Sequence, residues 1–81
     1  MVYDEITITL SYNHVYILTI FNNYNVGGVY ILQTGSTSGS GKCVITALMP
    51  TTYFSLTAVS GSSFTAKGEG ASGYLYAYRL A

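Results

Sequence analysis

The sequence predicts an all-β fold: a small antiparallel β-sandwich, jelly-roll-like, with about seven short strands and no helix, spanning residues 1–81 as one domain. Three observations carry this expectation. Thr, Tyr, Val and Ile dominate the chain, the residues that fit a pleated, half-buried surface. Gly, Asn or Ser interrupts every several residues, and no stretch holds apolar residues at the 3.6-residue period of a helix. The connections are too short for the crossovers that parallel pairing requires.

The elements follow in order. The first strand falls at residues 3–10, where Ile6, Ile8 and Leu10 alternate with Thr7 and Thr9 and place a threonine face in water. The second, at 14–21, has two apolar faces: Val15, Ile17 and Phe21 on one, Tyr16, Leu18 and Ile20 on the other. The third, at 28–34, repeats this with Val29 and Ile31 against Tyr30 and Leu32. Cys43, Ile45 and Ala47 share a face of the fourth, at 43–48, and Pro50 closes it because proline has no donor for a ladder. Strands at 52–59 and 63–67 flank the tight turn Ser60-Gly61-Ser62. The last strand, at 73–80, sets Tyr74, Tyr76 and Tyr78 opposite Leu75, Ala77 and Arg79.

Charge excludes several classes of function. Only 7% of the 81 residues are charged, and Lys42, Lys67 and Arg79 are dispersed and balanced by Asp4, Glu5 and Glu69. No basic footprint for nucleic acid forms from such a set. The longest apolar run, Val15 to Phe21, falls far short of the roughly 20 residues of a membrane span, so no membrane insertion is expected. The acidic Asp4-Glu5 stands where a secretory signal needs a basic start, so no signal peptide is expected either. Cys43 is the only cysteine, which rules out an intrachain disulfide, and with a single His it does not fill a tetrahedral zinc site.

Chemistry is equally sparse. Gly39-Ser40-Gly41-Lys42 has the look of a phosphate-binding loop but lacks the earlier glycine, has Cys43 where Ser or Thr should follow, and leads into a strand rather than a helix. His14, Cys43 and Asp4 are the residue types of a thiol nucleophile, base and orienter, with no spacing that brings them together. Cys43 reads as a small buried hydrophobe in step with Ile45. Neither catalysis nor a cofactor or metal is expected, because the roles of an active site find no residues to fill them.

What the sequence offers instead is apolar and aromatic surface. Two adjacent strands with two apolar faces exceed what one layer covers, and a subunit interface through Tyr16, Leu18, Ile20, Tyr30 and Leu32 accounts for the excess, as would a covering loop of the same chain. Tyr74, Tyr76 and Tyr78 extend that candidate interface or stabilise their sheet through cross-strand pairs. Tyr24 among Asn22, Asn23 and Asn25 is an aromatic platform beside amides, suited to a neutral polyhydroxyl ligand, or a ring folded over its own loop. Lys67 and Glu69 complete the candidate ligand contacts.

Several strand endings resemble a known family. Thr7-Ile8-Thr9-Leu10, His14-Val15-Tyr16-Ile17-Leu18-Thr19, Gly28-Val29-Tyr30-Ile31-Leu32, Phe64-Thr65-Ala66 and the closing Gly73-Tyr74-Leu75-Tyr76-Ala77-Tyr78-Arg79-Leu80 resemble the C-terminal domains of phage tail-fibre and receptor-binding proteins. The resemblance implies a non-catalytic sandwich at the tip of a fibre, homotrimeric, carried on the virion or otherwise extracellular. It also implies contact with a bacterial surface glycan or protein. A structural virion or filament subunit, and a small binding or inhibitor module, are the other classes the residues permit.

Overall fold

The structure, a computed structural model, describes residues 5–22, 27–35, 41–68 and 73–81. Seven strands form: β1 (Glu5–Thr9), β2 (Val15–Asn22), β3 (Gly27–Gln33), β4 (Val44–Met49), β5 (Phe54–Ala58), β6 (Ser63–Gly68) and β7 (Gly73–Arg79). All pairings are antiparallel, in a three-stranded sheet ordered β1-β6-β5 and a four-stranded sheet ordered β4-β3-β2-β7. In the larger sheet β2, β3 and β4 form a meander and β7 returns beside β2, a Greek-key order that requires the chain to pass through the smaller sheet on the way. No helix occurs among the described residues.

Sequence and structure agree on every strand to within a few residues at each end. Residues 3 and 4, where the first strand is expected to begin, lie outside the described residues; elsewhere the largest difference is β5, expected from residue 52 and observed from Phe54. Thr51 and its neighbours are drawn into the turn: the Thr51 hydroxyl accepts from the Tyr53 amide at 3.2 Å, and the Thr51 amide donates to the buried Tyr30 hydroxyl at 3.2 Å. Tyr16 acts in the same way at the other end of the sandwich, its hydroxyl accepting the Ser11 amide at 3.2 Å. Each of these two tyrosines therefore fills the core with its ring and fixes a connection with its tip.

The core lies between the sheets. Leu18, Ile20, Leu32, Phe64 and Ala66 have no solvent exposure, and Tyr16, Tyr30, Cys43 and Phe54 are buried with them. This corrects the expectation that Tyr16, Leu18, Ile20, Tyr30 and Leu32 form a subunit interface: their own chain already covers them. Alternation divides β2 and β3 into two faces but does not say which turns inward. The face with Thr19 and Gln33 is left to the solvent side, and the wholly apolar one is covered.

The smaller sheet shields the middle of the larger one only. In the inward row Ala47-Tyr30-Leu18-Ala77, the central pair is buried while Ala47 on β4 and Ala77 on β7 are exposed. Its own outer face is polar. Thr7, Thr65 and Thr57 run in one row across its three strands, and Thr9 bonds Ser63 at 2.9 Å.

Gly73 is required by space. A Cβ there would meet the Phe21 carbonyl oxygen and lie 2.5 Å from the Phe54 ring, which packs over the start of β7. Gly73→Ala is expected to cost about 2 kcal/mol through overpacking. The measured Tm should fall by roughly 10 °C for a domain of this size.

Candidate functional site

The surface that stands out is the outer face of the four-stranded sheet. Register places Val15, Ile17, Thr19 and Phe21 of β2 beside Val29, Ile31 and Gln33 of β3 on one side and Tyr74, Tyr76 and Tyr78 of β7 on the other. Thr46 and Val44 of β4 continue the rows. Between Val29 and Tyr30 the register slips, so that Leu48 is the extra residue of a β-bulge and both it and Met49 are left in water. No described residue of this face carries a charge.

Its aromatic edge is a continuous row. Phe21 and Tyr76 lie with centroids 5.8 Å apart and planes 24° apart, Tyr76 and Tyr78 at 6.4 Å and 23°, and Tyr74 flanks Phe21 at 6.2 Å. These contacts hold the rings in place without hiding them: Tyr74, Tyr76 and Tyr78 are 42%, 46% and 55% exposed. At roughly 200 Å² for a tyrosine, the three leave about 300 Å² in water. Val44, Leu48, Met49 and Leu80, each more than half exposed, roughly double that. The resulting patch, on the order of 600 Å², sits at the top of the range found on monomers.

The expected interface is thus divided by the fold. Tyr74, Tyr76 and Tyr78 lie on the exposed apolar face, whereas Tyr16, Leu18, Ile20, Tyr30 and Leu32 lie beneath it. Val44, Leu48 and Met49 were missed as surface residues. The first two alternate with Cys43, Ile45 and Ala47 in the sequence, which was signal enough, but the exposure of Met49 depends on the bulge.

Of the expected ligand contacts, Asn23, Tyr24, Asn25 and Glu69 lie outside the described residues. Asn22 ends β2 opposite Gly73, and Lys67 lies exposed on β6 between Glu5 and Ser55. Both are at the same end of the sandwich, because Phe54 pairs with Gly68 after Lys67 while its ring covers Gly73 beside Asn22. A cleft of about 120 Å³ at the opposite end is lined by Asn13, His14, Val15, Gln33, Thr34 and Ala81. It is smaller than the roughly 300–1,000 Å³ of sites that enclose a ligand.

The remaining reactive side chains are engaged separately. His14 places Nδ1 3.1 Å from the Ala81 carbonyl oxygen, while the Cys43 thiol donates to the Ser63 carbonyl at 3.5 Å. Asp4 lies outside the described residues, and among those residues no cluster of three His, Cys, Asp or Glu is placed to hold a metal. Gly41 adopts a φ of 79° and Lys42 is exposed before β4, so a strand follows this segment as the sequence indicated.

Compared with known families, curated proteins and solved structures, the chain matches none.

Burial pushes the Cys43 thiol above its ordinary value of 9.0, partly offset by a backbone hydrogen bond. The folded state thus holds this proton more tightly than the unfolded one. Its contribution to stability is complete below pH 9.0 and is lost as pH rises through the raised value. Denaturant titrations of wild type and Cys43→Ala should run parallel below that pH and diverge above it, with the wild type losing stability faster.

Proposed function

We propose that this chain is a non-catalytic attachment module that works as a homo-oligomer. Three copies gather the outer faces of their four-stranded sheets about a common axis, as the distal domain of a phage tail fibre, and meet a bacterial surface glycan or protein. The observation that carries this reading is the uncharged outer face with its row of Phe21, Tyr76 and Tyr78. Two such faces in contact remove on the order of 1,200 Å², the lower bound of a specific interface, and a third copy adds to it. The resemblance of the strand endings supplies the number three and the fibre context.

The receptor contact belongs at the end of the sandwich where Asn22 and Lys67 lie, away from the packed faces. Three weak sites on one particle give the avidity that attachment to a repetitive surface demands.

Native mass spectrometry is expected to show particles whose chain count is a multiple of three. Thr19→Lys sets a charge at the middle of the face on a position that is already polar. It should leave the fold intact, weaken association at least 100-fold and abolish adsorption to bacterial cells. A wild-type particle of one chain would overturn the reading, and an open-ended polymer would replace the fibre tip with a structural filament subunit.

A further inference from the structure

Of the four sheet edges formed by the described residues, one lacks protection from any of them. β1 and β5 are five residues long, and β1 carries Glu5. β4 is bent by the bulge at Leu48 and is followed by Pro50. β7 runs seven residues with an unbroken register against β2, no proline, and a single charge at its last residue, Arg79. Short length, charge, bulges and proline are the devices that keep an edge from pairing with another chain.

The unpaired groups on this edge can be named. The Leu80 amide donates to the Val15 carbonyl at 2.7 Å. Antiparallel parity then turns the backbone groups of Tyr74, Tyr76 and Tyr78 toward β2 and those of Leu75, Ala77 and Arg79 away from the sheet. Among the described residues no strand lies beyond them.

We infer that β7 is the docking edge for a second copy of this chain: two β7 strands pair antiparallel about Ala77 and join two four-stranded sheets into one of eight. The strand is complementary to itself in this register, as a two-fold contact demands. Tyr76 falls opposite the partner's Tyr78 and Tyr74 opposite the partner's Leu80, so aromatic and apolar side chains meet on the outer face. Leu75 falls opposite the partner's Arg79, and the two arginines stand about 13 Å apart along the strands, beyond strong repulsion. Ala77 faces its own copy with an exposed methyl group that obstructs nothing. The ring row of one sheet continues into the next, so the edge contact also extends the face that the proposed function uses. The edge contact itself is made by backbone groups and does not depend on that reading.

Three substitutions at one position test it. Ala77→Pro removes an amide that points away from β2, so the ladder within the subunit keeps its bonds. Ala77→Lys and Ala77→Glu each oppose like charges across the two-fold axis. With both contacts present the wild-type particle should hold six chains. Each variant should halve its mass in native mass spectrometry while keeping the wild-type circular dichroism, and an equimolar mixture of the Lys and Glu variants should restore it. Thr19→Lys should leave pairs, and its combination with Ala77→Lys single chains. Folded Ala77 variants with wild-type mass would overturn the edge contact whatever Thr19→Lys does. Thr19→Lys with wild-type mass would overturn the face contact alone.

Discussion

A chain of 81 residues builds two layers, and two layers hide one face of each sheet. Everything distinctive about this molecule follows from applying that limit to a sheet with two apolar faces. Tyr16, Leu18, Ile20, Tyr30 and Leu32 take the one place available against Phe64 and Ala66. Val15, Ile17, Phe21, Val29 and Ile31 then have no third layer to enter. The smaller sheet meets the same limit differently: Ile8, Phe64 and Ala66 face the core, and the opposite side is given to Thr7, Thr57 and Thr65. The two outer surfaces are therefore chemically unlike. Water competes well for the hydroxyl rows and poorly for the aromatic one.

This difference shows what could be read from the residues and what could not. Strand number and placement were legible because each strand is bracketed by turn formers and keeps a period of two. The threonine face of β1 was legible because its two faces differ in polarity. For β2 and β3 both faces are apolar, so the pattern establishes that one must be bare without settling which, and the inward choice falls to the set without Thr19 and Gln33. A different limit applies at the end of β4. Its alternation gives Cys43 and Ile45 to the core and leaves Val44 and Leu48 outside, but a bulge has no local signature, and Met49 is exposed because of it. Tyr16 and Tyr30 could not be separated by pattern from Tyr74, Tyr76 and Tyr78. Their hydroxyls are bonded to the amides of Ser11 and Thr51, partners that only the folded connections bring near.

Several connections are closed by hydrogen bonds from buried or half-buried polar groups. The Thr34 hydroxyl, buried at one end of the sandwich, accepts the His14 amide at 3.0 Å and donates to the Ser11 carbonyl at 2.8 Å. Asn13, held at a φ of 63°, donates its amide to Gly35 at 2.7 Å. Among the described residues no buried side-chain nitrogen or oxygen lacks a partner. The polar groups at this end of the sandwich are thus engaged in closing turns.

In the proposed assembly, edge and face reinforce each other. Pairing at β7 would add backbone hydrogen bonds, each worth only about 1 kcal/mol net in water, together with the apolar contacts that Tyr74, Tyr76 and Tyr78 make across the two-fold axis. Burial of the Tyr74, Tyr76 and Tyr78 row contributes the larger share, at roughly 25 cal/mol per Å² of apolar surface. The edge supplies register: a slip of one residue turns every side chain to the other side of the sheet, and a slip of two moves Arg79 from Leu75 toward another part of the partner strand. In the proposed assembly affinity would reside in the rings and orientation in the backbone, so a neutral chain with so few charges would not need them to select its own copies.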